Sequence, residues 1–376
     1  MRTATVAVAL VLAAAPASAQ FGRLGEIERR ASQVKRVADL DISEKEERQI
    51  GESASGRVRA EFGVMQDAAL TKYVSLVGNV LAKASTRPDL QWEFIVLDTD
   101  GVNAFAAPGG LVHITRGALG LMKSEAELAG VLGHEIAHIT KKHTVNGIKK
   151  NSAIKLGTEE AGSRTSYFYT MLADAVYDNI VEKGFDRGDE NDADQEGARL
   201  ANKAGYNPTG LTTFLGRLID RNKGMKPGDR PNGLFSTHPD TQARIDKVTK
   251  QIKTEKLAAT AMGEARFSSQ VKFDAKPVSE IVLADANTKG LTGGDSAAKP
   301  AKEESKKEEK KSGGMLGGLR NRMTSGPQKE STQAQSSAGA RGVDRPDRFA
   351  KGGGNPNKLN VNVAASELET FRKGIA

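Results

Sequence analysis

The feature that most constrains this chain is a pair of histidines, four residues apart, inside an apolar segment. The stretch His134-Glu135-x-x-His138 is flanked by valine, leucine and isoleucine, and their spacing predicts a buried helix. On a helix the two imidazoles project from one face, where both can bind one metal ion. Glu135 lies about 100° around the helix from His134, the place required of a general base that acts on a water molecule beside the metal. With 5 histidines in 376 residues, chance gives this spacing in well under about 1% of such chains, so we interpret it as a metal site.

An acidic segment further along the chain supplies the candidate third ligand. Glu190 and Asp194 are four residues apart within residues 188–198, so on a helix both carboxylates share one face. Glu190 can then bind the metal, while Asp194 can accept a hydrogen bond from the outer N–H of a ligand histidine. An acidic helix face is usually just solvated, but the two-histidine site needs a third ligand, which favours the metal interpretation. His143 is interpreted as a solvated residue at the helix end, because the longer zinc motif that needs a third histidine does not match here.

A small sheet is predicted directly upstream of the histidine pair. Residues 92–97 and 111–115 each have the composition of a strand, and turn-forming residues separate them. The segment between them could form an edge strand that pairs with the backbone of an extended polypeptide, and an ordinary Gly-Pro hairpin is the alternative left open. The candidate substrate-binding residues are Asn103, Ala104, Phe105 and Ala106.

Periodic apolar residues and capping signals predict further helices around this sheet. The predicted helices span residues 43–62, 67–85, 211–219 and 240–256, and a capping signal at Ser124 begins the helix that carries the histidine pair. Residues 145–185 have mixed helical character with an aromatic cluster, which leaves two alternatives open, a lid over the site or plain core packing.

Residues 1–19 have the pattern of a secretory signal peptide. Arg2 is followed by a short apolar run and then by Ala17-Ser18-Ala19, which has the form of a cleavage site before Gln20. An uncleaved membrane anchor is the alternative. No run of about 18 apolar residues follows. The chain contains no cysteine, so disulfides, thiolate metal sites and cysteine nucleophiles are excluded. We therefore expect an exported, periplasmic protein without a transmembrane segment after signal removal.

The C-terminal part differs in composition from the rest of the chain. Residues 285–376 hold 17 Lys+Arg and 11 Asp+Glu, so most of the formal charge of +8 lies there and the remainder is close to neutral. Nucleic-acid binding by the folded part is therefore not expected. The apolar content of this tail is too low to offset the entropy of ordering, so we expect disorder, with a short helix near 366–376 and with partner proteins or anionic surfaces as candidate contacts. Residues 20–256 form the predicted domain, and residues 257–284 a C-terminal extension of it.

Four motifs, in this order along the chain, resemble those of one family of zinc metallopeptidases. They are Asn103 to Gly110, His134-Glu135-x-x-His138, Glu190-x-x-Ala193-Asp194 and Ser236-Thr237-His238-Pro239. The chain resembles the family that includes the CAAX prenyl protease, the HtpX heat-shock protease and the periplasmic beta-barrel assembly-enhancing protease. The resemblance implies one zinc ion per chain bound by His134, His138 and Glu190, with Glu135 as catalytic base and Asp194 as supporting carboxylate. It also implies an α+β, mainly helical zincin-like (gluzincin) metalloprotease domain with a small β-sheet, here followed by the disordered tail.

His238 precedes a proline, which holds it in extended or turn geometry from which its side chain can reach a site. Its spacing alone leaves open a helix-entry residue without chemistry. The resemblance implies either an oxyanion stabiliser, which would make His238 catalytic, or a fourth metal ligand that silences the resting enzyme.

The activity implied by the resemblance is that of a zinc-dependent endopeptidase of the cell envelope, acting on unfolded or misassembled proteins. Two alternatives from other classes stay open. One is a latent zinc-bound chaperone or assembly factor whose site is plugged by His238, and the other is a zinc hydrolase of substrates other than peptides. Prenylated substrates are not expected without membrane-spanning helices, and no helical repeat of about 34 residues follows the motifs.

Overall fold

The computed structural model describes residues 42–155, 166–221, 241–273 and 353–375. The helices are α1 Glu44–Phe62, α2 Ala68–Ala84, α3 Arg116–Leu121, α4 Glu125–Thr140, α5 His143–Lys155, α6 Ser166–Tyr177, α7 Arg187–Ala204, α8 Gly210–Arg221, α9 Thr241–Thr254, α10 Glu264–Gln270 and α11 Ala365–Lys373. The strands are β1 Glu93–Leu97, β2 Ala104–Ala107 and β3 Leu111–Thr115. A π-helical turn, Asp178–Lys183, continues α6. The predicted class, a mainly helical α+β fold with a small sheet, is confirmed.

Side chains and one glycine explain where several helices begin and end. Ser43 accepts a hydrogen bond from the N–H of Glu46, whose carboxylate accepts one from the N–H of Ser43, so that α1 begins with a complete capping box. Asp67 caps α2 by accepting from the N–H of Leu70 at 3.0 Å. Gly205, with a φ of 97°, ends α7 in the left-handed conformation. The predicted starts of α1 and α2 are therefore confirmed.

The three strands form one mixed sheet in the order β1-β3-β2. β1 runs parallel to β3, with Glu93 opposite Leu111, and β2 runs antiparallel to β3, with Ala104 opposite Ile114. The predicted strands at 92–97 and 111–115 are confirmed, and the segment between them forms β2 at one edge of the sheet.

The sheet separates two clusters of buried apolar side chains, because alternate residues of a strand point to opposite faces. Phe94 and Val96 of β1 lie in the larger cluster, with residues of α2, α4, α7 and α8. Ile95 and Leu97 lie in the second cluster, with residues of α1, α6 and the π-helical turn. Every residue of α4 except the last is buried, so the helix with the histidine pair lies at the centre of the fold.

The described parts of residues 145–185 contribute to the second cluster. Leu172, Val176 and Ile180 are at most 4% exposed and lie in the same cluster as the apolar residues of α1. Of the two alternatives left open for this segment, the structure therefore shows core packing for these residues.

Residues 353–375 lie against the domain, which differs from the predicted disordered tail. The Nζ atom of Lys358 lies 3.0 Å from the carboxylate of Glu52 on α1, and Ile375 is only 5% exposed. The expected short helix forms as Ala365–Lys373. The expectation of disorder is therefore wrong for this segment, while the rest of the predicted tail falls outside the described residues.

The described part of the predicted extension, residues 257–273, packs beside the start of α4. The N–H of Ala126 donates to the carbonyl of Met262 at 3.1 Å, and Phe267 of α10 is 3% exposed. The predicted signal peptide, residues 1–19, falls outside the described residues. Within the described ranges, no helix combines the length and apolar composition needed to cross a bilayer.

Candidate active site

Two histidines of α4 and one carboxylate of α7 converge on a common point. The Nε2 atoms of His134 and His138 lie 3.0 Å apart, and oxygens of Glu190 lie 3.4 Å from Nε2 of His138 and 3.7 Å from Nε2 of His134. All three side chains are buried. The structure thus brings together the three predicted metal ligands, on two helices that pack directly against each other.

The ligand groups of these three residues lie close enough together to bind one metal ion. Ligand atoms about 2.0–2.1 Å from zinc at tetrahedral angles lie about 3.4 Å from one another. The nearest approaches between the three residues, with a different oxygen of Glu190 facing each histidine, run from 3.0 to 3.7 Å, and one ligand atom from each residue lies within 4.8 Å of the other two. Two imidazole nitrogens and one carboxylate are also a donor set that zinc binds. The three residues are therefore able to hold such an ion with little rearrangement.

Asp194 and Arg244 form a buried ion pair behind the ligands. Oδ1 of Asp194 lies 2.9 Å from Nδ1 of His134, and Arg244 donates to Asp194 from Nε and Nη2 at 2.7 and 2.6 Å. The remaining guanidinium nitrogen, Nη1, lies 3.0 Å from Glu190. Arg244 therefore connects the metal-facing carboxylate with the carboxylate that orients a histidine.

The charges of this cluster shift the pKa values of its members. Burial alone raises the pKa of Asp194, but the hydrogen bonds from Arg244 and His134 outweigh it and hold that pKa at about 2. Burial lowers the pKa of His134, yet the bond with Asp194 and the charge of Glu190 raise it overall. Asp194 is therefore ionised at neutral pH and can accept the Nδ1–H of His134.

Glu135, the predicted catalytic base, is fully buried on α4. Its carboxylate belongs to the same electrostatic cluster. Burial lowers the pKa of Arg244, but the charges of Asp194, Glu190 and Glu135 raise it overall. The structure thus places Glu135 in the surroundings of the convergence point, as the motif predicts.

His143 is buried, so its interpretation as a solvated residue is wrong. Its side chain is 7% exposed, and its Nδ1 lies 3.0 Å from Nδ1 of His138. The chain leaves α4 at Thr140 and begins α5 at His143, and Lys142, with a φ of 57°, reverses the backbone between them. Phe185 stacks on His138 with ring centroids 3.8 Å apart. Both contacts depend on tertiary packing that helical spacing does not encode.

Two glycines set the distance between the ligand-bearing helices. Gly133 directly precedes His134 on α4, and Gly197 lies about two turns after Glu190 on α7. A Cβ atom at Gly197 would lie 2.8 Å from the backbone nitrogen of His134, and one at Gly133 would lie 3.0 Å from the carbonyl oxygen of Gly197. A larger residue at either position would force the helices apart. The glycines therefore let Glu190 come within reach of both histidines.

The four predicted substrate-binding residues lie in or next to β2, the strand against which α4 packs. Two backbone groups of this strand are bonded within the chain. The side chain of Asn103 accepts from the N–H of Ala104 at 2.9 Å, and the carbonyl of Ala106 accepts from the hydroxyl of Thr144 at 3.4 Å. A polypeptide that paired with these groups would have to replace both contacts.

His238, which the motifs predicted, and Arg244, which they did not, lie six residues apart in the sequence. His238 falls outside the described residues, so its approach to the metal stays a prediction. Arg244, which motif reasoning missed, lies on α9 shortly after it. A signal existed: Thr241, Arg244 and Val248 follow helical spacing and are all buried. An arginine on the buried stripe of a helix indicates a buried carboxylate partner.

The fold and this donor set fit the metallopeptidase class that the motifs predict. The profile of Peptidase family M48 matches residues 68–252, which confirms the resemblance drawn from the motifs.

Curated proteins with related sequences carry the names of peptidases. The beta-barrel assembly-enhancing protease of Yersinia pestis is 26% identical over 63% of this chain and 50% of its own length. The protein of the same name from Escherichia coli K12 is 24% identical over 55% of this chain and 44% of its own length. The mitochondrial metalloendopeptidase OMA1 of Arabidopsis thaliana is 29% identical over 55% of this chain and 41% of its own length. The chain thus matches half or less of the length of these relatives.

Proposed function

We propose that this chain is a zinc-dependent endopeptidase of the cell envelope that hydrolyses peptide bonds of unfolded or misassembled proteins. The observation that carries the proposal is the convergence of His134, His138 and Glu190, whose ligand atoms lie within 4.8 Å of one another, in a domain that the profile of family M48 matches. The names of the relatives, a beta-barrel assembly-enhancing protease and a metalloendopeptidase, support peptide-bond hydrolysis.

A zinc ion held by the three ligands would supply Lewis-acid chemistry, which lowers the pKa of a water molecule and polarises a peptide carbonyl. Glu135 takes the proton of that water as the carbonyl carbon is attacked, and returns it to the leaving amine. Asp194 holds the proton of His134 on Nδ1, so that Nε2 stays available as a ligand. Arg244 keeps Asp194 ionised. His238 acts on the same site, either by stabilising the oxyanion or as a fourth ligand in the resting enzyme.

Substrate binding is proposed along β2. An extended polypeptide would form main-chain hydrogen bonds with this edge strand, which gives affinity without demanding one side-chain sequence. The residues that would contact it are Asn103, Ala104, Phe105 and Ala106. A binding mode of this kind suits a peptidase that accepts many unfolded chains.

The proposed location is the periplasm, because residues 1–19 have the pattern of a cleaved signal peptide. A peptidase in that compartment encounters unfolded and misassembled envelope proteins, and quality control is therefore its proposed role.

The proposal is tested by cleavage of an unfolded protein such as casein by purified residues 20–376. We expect cleavage to require zinc, to stop on addition of EDTA and to return when zinc is restored. Glu135→Gln should reduce the rate by at least about 100-fold, since it removes the general base. Glu264→Gln makes the same chemical change at an exposed position of α10 and should leave the rate unchanged.

Three outcomes would contradict the proposal. Cleavage that survives Glu135→Gln would show that this carboxylate is not the base. Zinc binding at one ion per chain without any cleavage would support the chaperone alternative, and His238→Ala would then show whether that residue plugs the site. Turnover of small esters or amides, without turnover of peptides, would support a different zinc hydrolase.

A further inference from the structure

The two ligand histidines have different partners on their outer nitrogens. His134 faces the carboxylate of Asp194, whereas Nδ1 of His138 lies 3.0 Å from Nδ1 of His143. Both members of the second pair are buried, with side-chain exposures of 0% for His138 and 7% for His143. An imidazole is an unusual outer partner for a ligand histidine, because carboxylates, carbonyls and waters fill that place most often.

Metal binding fixes where the protons of this pair must lie. Nε2 of His138 points to the convergence point, 3.0 Å from Nε2 of His134 and 3.4 Å from Glu190. When Nε2 is a ligand, the ring proton of neutral His138 is on Nδ1 and is donated to Nδ1 of His143. The proton of neutral His143 is then on Nε2, which lies 3.4 Å from Oδ2 of Asp192.

We propose that His143 is a positioning residue that acts through His138. It accepts the Nδ1–H of His138 and so fixes the tautomer and the ring orientation that present Nε2 to the metal. Asp192, on the first turns of α7, orients His143 in turn, and Phe185 limits rotation of the His138 ring by stacking on it. The proposal rests on the proposed metal site, and it adds a residue that no motif of the sequence marked.

The size of the effect follows from the general behaviour of such partners. Loss of the group that orients a ligand histidine weakens metal binding about 10- to 100-fold. The loss arises because a freely rotating imidazole spends much of its time in the wrong tautomer or orientation. The buried position of the pair strengthens the argument, since water has little access to replace the lost acceptor.

Two variants of equal size separate the hydrogen bond from the packing. In His143→Asn the side-chain oxygen stands at the position of Nδ1 and can still accept from His138. In His143→Leu the leucine side chain has nearly the same shape as asparagine, but it has no hydrogen-bond acceptor. The zinc dissociation constants of the full mature chain and of both variants are measured by competition with a chromophoric chelator. The visible spectrum of the cobalt-substituted proteins reports ligand geometry, and melting in EDTA reports the stability of the metal-free fold.

We expect His143→Leu to bind zinc about 10- to 100-fold more weakly and to alter the cobalt spectrum, whereas His143→Asn stays close to the unsubstituted chain. Asp192→Asn, at a position whose side chain is 44% exposed, should weaken binding less than His143→Leu and leave melting in EDTA unchanged. Equal zinc affinity in all chains would overturn the inference, and so would equal losses in the Asn and Leu variants. Failure of the unsubstituted chain to bind zinc would instead overturn the proposed metal site itself.

Discussion

Replacing Gly197 by alanine tests whether the close crossing of α4 and α7 sets the geometry of the metal site. The added Cβ would lie 2.8 Å from the backbone nitrogen of His134 and 3.1 Å from its Cα, whereas ordinary contacts begin at 3.4 Å. The obstacle is helix backbone on both sides, which no side-chain rotation can relieve. The two helices must therefore separate by roughly 0.6 Å at this point. Metal–ligand distances tolerate deviations of only roughly 0.2 Å, so the separation is about three times that tolerance.

Two opposing terms decide the effect of this variant on stability. Overpacking of this kind costs about 1–3 kcal/mol, and alanine in place of glycine within a helix gains about 0.5–1 kcal/mol. We therefore expect a net loss of up to about 2.5 kcal/mol. For a domain of this size, each kcal/mol of lost stability lowers Tm by about 2–4 °C. Because Glu190 moves with α7, zinc affinity should also fall by about 10-fold or more, which is the effect specific to the metal site.

The matched control is Gly216→Ala on α8, where a Cβ atom would meet nothing within 4 Å. This variant should gain about 0.5–1 kcal/mol from helix propensity and leave zinc binding unchanged. Both proteins are compared with the unsubstituted chain by thermal melting in EDTA and by chelator competition for zinc. If Gly197→Ala binds zinc as tightly as Gly216→Ala, the glycine contact does not determine the position of Glu190 and the reasoning fails.

Three further predictions concern the parts of the fold around the site. Arg244→Met removes the cation that lies between the buried carboxylates of Asp194 and Glu190, and it should cost about 3–5 kcal/mol in urea unfolding of the metal-free protein. A loss below about 1 kcal/mol would show that the ion pair is not formed. Burial lowers the pKa of His113, bonded to Ser55 at 2.8 Å, to about 3. Between pH 3 and the ordinary histidine pKa near 6.5, the native chain therefore binds fewer protons than the unfolded chain. The stability that this difference provides is complete above pH 6.5 and is lost as the pH falls, by up to about 1.4 kcal/mol per pH unit. His113→Gln keeps an atom facing Ser55 and should remove that dependence in urea titrations in EDTA; equal slopes for both proteins would contradict it. Ile375→Ala should lower the unfolding free energy by about 2 kcal/mol, since Ile375 is 5% exposed; an unchanged value would show that the C-terminal segment is not held on the domain in solution.

The parts of the fold that local sequence signals encode were predicted correctly. Ser43, Asp67 and Ser124 each precede a helix, and each side chain accepts the hydrogen bond that a cap requires. The spacing of His134 and His138, and that of Glu190 and Asp194, likewise predicted side chains that the structure brings together. These predictions depended on one helix or one strand at a time, which is where periodicity and capping carry information.

The missed members of the site depend on contacts between elements. His143 lies just after the end of α4 and would be solvated if the helix simply frayed, but a reversal at Lys142 turns it back onto His138. Phe185 reaches the same ring from the end of the π-helical turn, and Arg244 reaches Asp194 from α9. In each case the partner is distant in sequence or lies across a turn whose geometry no motif specifies.

The C-terminal segment shows why average composition failed as a guide to order. Its few apolar residues are concentrated where they contact the domain, and its contacts lead to the active-site helix. Arg266 of α10 donates to the carbonyl of Gly374 at 2.9 Å and lies 4.3 Å from the ring centroid of Phe371. The same guanidinium forms an ion pair with Glu125 in the first turn of α4, where a carboxylate also favours the helix dipole. The end of the described chain is therefore coupled, through one arginine, to the start of the helix that presents both ligand histidines.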